Sequence, residues 1–210
     1  VSVPDTVIPS ISSVTFSDVD DSVVPSSWGI YVQGQSGLKL KSISCAGAYG
    51  SEIKKVKMTA DSRIRATDYP ELPEMDHISQ SGEVSIMITV TDSRNRTVNK
   101  SAVVSIVSYV SPKLSSIKSE RCNASGETDN DGTYFLSTTS AVFSSCLGKN
   151  ALTLTVKYKR TDLKNYGNEV QINPGSNVCA NNDLDPEYSY DVLYTLSDEF
   201  NTVTYSDFVS

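Results

Sequence analysis

At 210 residues, with 38% of positions hydrophobic and 20% charged, the chain has the composition of an ordered, soluble protein, long enough for two compact cores. Lys and Arg number 18 against 25 Asp and Glu, and the net charge of −7 repels nucleic-acid phosphates and anionic membrane surfaces alike, which disfavours a nucleic-acid role. No apolar run approaches the roughly 18 residues of a membrane span, and without an initiator Met, basic leader or cleavage site the sequence reads as a piece of a longer polypeptide.

Residues 1–9 carry Pro, Ser and Thr and read as a linker or first strand. Ile11 to Phe16 opens a first sandwich, and Trp28-Gly29-Ile30-Tyr31-Val32 is the next β-prone run, closed by a turn over Gly34-Gln35-Ser36-Gly37. Lys39 to Cys45 reads as a half-buried strand; Ile53, Val56 and Met58 mark another after the Gly47–Gly50 turn. Pro70 to His77 reads as loop because Pro70 and Pro73 remove ladder donors. The strongest strand signal follows: Val84, Ile86, Ile88 and Val90 fall on one face, Ser85, Met87 and Thr89 on the other. Val98, Val103, Ile106 and Tyr109 mark the return strand.

Between these two strands, Asp92-Ser93-Arg94-Asn95-Arg96 carries its own mechanism. An Asp side chain accepts backbone N–H groups two residues on, and Asn tolerates positive φ, so the segment closes a hairpin at low strain. Beyond it, strands are predicted at 113–122, 133–143, 152–158, 169–172, 188–196 and 203–208, with loops at 46–51, 66–79, 123–132 and 173–187 as the candidate working surfaces. Helical periods are absent.

The chain also states one segment twice. Pro9-Ser10-Ile11-Ser12-Ser13-Val14 returns about a hundred residues later as Pro112-Lys113-Leu114-Ser115-Ser116-Ile117, and the turn Thr91-Asp92-Ser93-Arg94-Asn95 returns as Ser197-Asp198-Glu199-Phe200-Asn201. A period of that length is a whole domain. The expected fold is all-β, two tandem Ig-like (fibronectin III-like) β-sandwich domains over 1–110 and 111–210, end to end as a semi-rigid rod.

Cys45, Cys122, Cys146 and Cys179 divide one to three between these domains, which argues for reduced thiols over a disulfide framework. Cys122–Cys146 is the best disulfide candidate, since both would end adjacent strands. Asn-x-Ser/Thr tripeptides at Asn95, Asn99 and Asn123 would matter only in a eukaryotic secretory protein.

In the second half, Tyr109-Val110-Ser111-Pro112, Arg121-Cys122-Asn123-Ala124-Ser125-Gly126, Asp129-Asn130-Asp131-Gly132-Thr133-Tyr134, Phe143-Ser144-Ser145, Gly148-Lys149-Asn150 and Leu154-Thr155-Val156-Lys157-Tyr158 follow in an order that resembles the tandem Ig-like modules of tail-fibre and minor structural proteins of long-tailed phages and prophages of Gram-positive bacteria. Val90-Thr91-Asp92-Ser93-Arg94-Asn95-Arg96 is similar to the hairpin of that family, with Asn95 where the family commonly has Gly. The resemblance implies a virion structural role without enzyme activity, a place in the virion tail after assembly in the bacterial cytoplasm, and, as partners, other tail proteins or copies of itself. The same residues make local sense as turns: Gly126 and Gly132 bracket an acidic loop, and Gly148-Lys149-Asn150 offers positive-φ residues. Arg121 is read either as pairing with Asp129 or Asp131 or as solvated.

The residues lend little to other chemistry. Glu127-x-Asp129-x-Asp131-Gly132 has the alternating oxygens of a calcium loop, but its twelfth position is Thr138, where a bidentate Glu is required. Asp18, Asp20 and Asp21, and the Asp183-Leu184-Asp185-Pro186-Glu187 run, read as solvated loop carboxylates. No metal or cofactor site is therefore expected. His77 is the one histidine, in a Pro-flanked loop without a nucleophile signature, and no pair of acids stands out for a glycosidase, so no catalytic residue is assigned.

Carbohydrate contact is the one specific function carried alongside the structural reading: one Trp and 11 Tyr against five Phe is a bias toward rings with a polar handle. Trp28, Tyr31, Tyr49, Tyr69, Tyr166, Tyr188 and Tyr190 are the candidates; Trp28 is expected to fill a sandwich core, and Tyr49, Tyr69 and Tyr166, on loops, are the expected ligand contacts, with a host cell-surface glycan as the ligand. A bacterial cell-surface or secreted adhesion module, binding glycans or protein, is the alternative reading.

Overall fold

The computed structural model describes Pro4 and residues 7–210; residues 1–3, 5 and 6 of the expected linker or first strand lie outside the described residues. The chain divides into two compact units, Val1–Tyr109 and Val110–Ser210. Among the described residues the only helical segment is one 3-10 turn, Ser26–Trp28.

The first unit contains β1 (Ser10–Ser17), β2 (Tyr31–Val32), β3 (Leu38–Ala46), β4 (Ile53–Ala60), β5 (Arg63–Asp68), β6 (Glu74–Met75), β7 (Gly82–Asp92) and β8 (Thr97–Val107). One sheet runs β1-β3-β6 and the other β2-β8-β7-β4-β5, all pairs antiparallel except β2 with β8. Because strand side chains alternate, Val84, Ile86, Ile88 and Val90 of β7 point to one face and meet Leu38 and Leu40 of β3, Val56 and Met58 of β4, Met75 and Ile106 in one buried cluster. Each such aliphatic side chain contributes about 1.5–3 kcal/mol by leaving water.

The second unit contains β9 (Lys113–Cys122), β10 (Tyr134–Val142), β11 (Thr153–Arg160), β12 (Val170–Ile172), β13 (Gly175–Cys179), β14 (Tyr190–Ser197) and β15 (Thr202–Val209). Sheet β13-β10-β9 faces sheet β12-β11-β14-β15. Setting β2 aside, this is the connectivity of the first unit strand for strand, so both are fibronectin III-like β-sandwiches. Phe135, Leu154, Val156, Val192, Tyr194 and Leu196 fill the second core. Tyr194 is fully buried, and its phenol is satisfied by the hydroxyls of Ser119 (2.8 Å) and Ser137 (2.9 Å), as burial of a polar tip requires.

Asp92 and Asp198 occupy the same place in the two units, the turn between the last two strands. Asp92 Oδ1 accepts from the backbone N–H groups of Arg94 and Arg96, both at 2.9 Å, while Asn95 takes φ 61°. Asp198 Oδ1 accepts from Phe200 (2.9 Å) and Asn201 (2.8 Å), and the turn closes one residue sooner, with Asp198 N–H donating to the Asn201 carbonyl.

Several expectations are corrected by tertiary context. Trp28 is no core residue: it closes the 3-10 turn half-buried, and Gly29 at φ 67° ends that turn, so that only Tyr31–Val32 of the expected strand pairs. The expected loop 66–79 contains the end of β5 and all of β6, and the expected loop 173–187 contains β13. Cys122 ends β9 beside Tyr134 at the start of β10, but Cys146 ends no strand: it lies in the turn after β10, beyond that strand's far end, and all four cysteines are free. In the 144–150 loop the positive-φ residues are Cys146, Leu147 and Gly148, whereas Asn150 is buried and bonded. Gly132 is demanded by space: a Cβ there would stand 2.2 Å from the Cys122 carbonyl oxygen.

Candidate functional site

The second sandwich opens at one edge. There β12, the edge of one sheet, passes through Asn173-Pro174 directly into β13, the edge of the other, and a cleft of about 900 Å³ lies between β11, the 161–169 loop, these two strands and residues 180–183. That volume lies within the range of small-molecule sites. Val156, Ile172 and Tyr190 form its apolar base, and Tyr134, Tyr158 and Tyr166 bring rings to its walls. Tyr158 stands edge-on to Phe135 (5.6 Å, 75°) and to Tyr190 (6.2 Å, 65°), an arrangement that suits ring quadrupoles and fixes the aromatic floor.

The two cations of the lining are paired with carboxylates of the chain, and its one carboxylate accepts from a phenol. Lys159 Nζ lies 2.6 Å from Asp191 and also donates to the Leu163 carbonyl. Arg160 forks onto Asp162 through Nε (2.9 Å) and a terminal nitrogen (2.6 Å) and stacks on Tyr188 at 3.8 Å. Asp183 accepts from the Tyr158 phenol at 2.8 Å. Burial first, then that bond and the Asp183 charge, push the Tyr158 phenol far above the usual tyrosine range. Burial, with Cys122 adding to it, pushes the Cys179 thiol up to about 11, so it sits in the wall as a protonated, weakly polar group at neutral pH.

Arg121 lies in the interior of the second unit, beside Tyr190 of the cleft base. It is 4% exposed and donates to the carbonyls of Gly132 (2.9 Å), Asp185 (3.1 Å), Ser210 (3.0 Å) and Tyr188, with its guanidinium 5.6 Å from the Tyr190 ring centre. Neither the expected Asp129 or Asp131 partner nor solvent is what it meets. The Tyr190 phenol in turn accepts from the Asp185 N–H at 2.8 Å, holding the 184–190 segment against β14.

Of the sequence candidates, Tyr166 lines this cleft, half-buried, with the ammonium groups of Lys159 and Lys157 at 5.4 and 5.8 Å from its ring centre. Tyr49 and Tyr69 belong to the other unit. Tyr49, 81% exposed at φ 48°, tips the β3–β4 turn, where Arg94 donates to its carbonyl at 2.8 Å. Tyr69, 41% exposed, follows β5 on a cis bond to Pro70, and its N–H donates to the Lys54 carbonyl at the start of β4, the same end of that sandwich. Tyr166 thus lies on the second unit and Tyr49 and Tyr69 on the first. Tyr188 is 39% exposed beneath Arg160, Tyr190 is buried, and Tyr31 is half-buried beside β8. Tyr134 and Tyr158 were not singled out from the sequence; they sit within strands, and only the pairing of sheets brings them to the cleft.

Two sandwiches of this connectivity make the chain a tandem Ig-like, fibronectin III-like protein. It matches the family described as "Siphovirus protein of unknown function (DUF859)" over residues 1–209, and it belongs to that family. No curated protein matches the chain significantly. Among solved structures it is similar to the FN1–FN3 domains of chicken CNTN1 (12% identity, TM-score 0.35, covering 86% of this chain and 64% of that one). It is also similar to the fibronectin(III)-like modules of Clostridium thermocellum CbhA (11% identity, TM-score 0.32, 93% of each chain). A third is the Ca2+-stabilized adhesin that helps an Antarctic bacterium bind ice (15% identity, TM-score 0.45, 96% of this chain and 49% of that one). The chain thus spans less than two thirds of the length of the first and third.

Proposed function

We propose that the chain is a non-catalytic structural module of a siphovirus virion, part of a tail fibre or minor tail protein. It holds a fixed shape among other tail proteins or copies of itself and presents its loops, with Tyr49, Tyr69 and Tyr166, to the host surface. The observation that carries this reading is the extent of the family match, which takes in both sandwiches rather than one borrowed domain. The polar chemistry of both units supports it: Asp92, Asp198, Arg121 and Asn150 are bonded to backbone that shapes turns and loop segments. Such fixed loops on a sandwich suit presentation of a surface. Mass spectrometry of gradient-purified virions tests it. The chain is expected at a constant copy number per particle, and its absence from particles that infect normally would overturn the proposal.

A further inference from the structure

We propose that the cleft of the second sandwich is a binding site for a neutral oligosaccharide. This deepens the host-surface part of the reading above and rests on it for the source of the glycan.

The inference follows from which polar groups of the lining are already engaged. Lys159 and Arg160, the cations of the lining, are each paired with a carboxylate of the chain, Asp191 and Asp162, so an anionic ligand would have to compete with those carboxylates for them. The planar amides are different. Asn165, Asn168, Gln171 and Asn181 line the cleft, and among the described residues their side chains hold no hydrogen bond within the protein; the same is true of the Tyr134 and Tyr166 phenols. Each amide offers two donor hydrogens and an acceptor oxygen in one plane, and a phenol is both donor and acceptor. A ligand carrying many neutral hydroxyls, each donor and acceptor at once, satisfies that set without a charge.

Apolar demand points the same way. A pyranose ring exposes one or both faces as C–H surface, and Tyr134, Tyr158 and Tyr166 supply aromatic surface beside the amide rim. An apolar ligand would leave the amides unpaired, at the cost of each lost hydrogen bond. Part of the wall is also held before any ligand arrives: the Tyr158 phenol holds Asp183, which reduces the ordering that binding must oppose there.

The test is binding of the purified 210-residue chain to an array of neutral and acidic oligosaccharides, together with polysaccharide released from the envelope of cells to which the phage adsorbs. Three variants accompany it: Tyr166→Ala and Gln171→Ala, on the cleft, and Thr138→Ala, exposed on β10 outside it. We expect binding to neutral members, weakened about tenfold or more by Tyr166→Ala and by Gln171→Ala, unchanged by Thr138→Ala, with all four proteins melting cooperatively. Four results would overturn the proposal: no neutral glycan bound, binding confined to acidic glycans, binding indifferent to both cleft variants, or capture of the cleft by a protein of the virion instead. Presence in virions is read independently. A chain present in particles but silent on the array sinks the cleft alone, and a chain absent from particles sinks the tail reading while the array still judges the cleft.

Discussion

Tyr158 and Asp183 join across the cleft of the second sandwich, phenol to carboxylate at 2.8 Å, and this contact ties the core strand β11 to the segment that walls the cleft. Its loss in Tyr158→Phe removes one bond to a charged acceptor that is itself exposed, so the cost is about 1 kcal/mol at neutral pH.

The same contact sets an alkaline limit. The folded-state pKa of Tyr158 is raised, chiefly by burial and then by Asp183, and those of Tyr194 and Tyr31 are raised chiefly by burial. A raised tyrosine stabilises the fold fully below its unfolded value of about 10 and ceases to do so as pH climbs through the folded value. Because burial raises all four thiols as well, melting curves are expected to begin to fall once pH passes the unfolded thiol value of about 8.5 and to fall further above about 10, less steeply there in Tyr158→Phe. Equal slopes in the two proteins would contradict this.

Acid acts through the opposite sign. For Asp92, desolvation raises the pKa, but the backbone N–H groups of Arg96 and Arg94 and the Arg96 charge outweigh it and hold the carboxyl below its usual range. Asp61 is likewise held down, against its own desolvation, by Ser79, Arg63 and Gln80. A depressed carboxylate stabilises above its unfolded value of about 3.9, and that contribution disappears as pH falls through the lower, folded value. The melting-temperature gap between wild type and Asp92→Asn is therefore expected to be constant from neutral pH down to about 4 and to close below it. A gap that persists at lower pH would refute the assignment.

Arg121 is the largest single commitment in the second core. Replacing it with Met leaves the carbonyls of Gly132, Asp185, Tyr188 and Ser210 without their donor, and Lys, with a point charge in place of a planar fork, cannot span them. Urea unfolding followed by circular dichroism should show Arg121→Met about 2–4 kcal/mol less stable and Arg121→Lys only partly restored. A loss below about 0.5 kcal/mol, the scale of a surface change, would show the guanidinium to be incidental.

The thiols give a chemical count. Cys45, Cys122, Cys146 and Cys179 are free, and burial raises all four above the ordinary thiol value. Native protein at pH of about 7.5 should react slowly with a disulfide reagent, and denatured protein should titrate four thiols without prior reduction. Two thiols in denaturant would reveal a bridge.

Much of the architecture could be read from residues because its strands bury one face. The alternation Val84, Ile86, Ile88, Val90 fixes β7, and Asp92 announces the turn after it. β5 escaped notice because Arg63-Ile64-Arg65-Ala66-Thr67-Asp68 is an edge strand whose side chains are mostly exposed or half-exposed, so no buried face marks it. β13 escaped because Gly175-Ser176-Asn177 has little strand propensity and forms only by pairing with β10. Trp28 misled because Gly29 ends a turn there. For the site, Tyr166 was legible as a loop ring, whereas the cleft draws its residues from β10, β11, β12, β13, β14 and two connecting segments, which no sequence window joins.

The central claim, a tandem of sandwiches serving as a fixed part of a siphovirus tail, is tested most directly by a cryo-electron reconstruction of the tail of the phage that encodes the chain. The account predicts tail density into which both sandwiches fit with their sheets intact, β1-β3-β6 against β2-β8-β7-β4-β5 and β13-β10-β9 against β12-β11-β14-β15. A fully assigned tail with no density for either sandwich would contradict it.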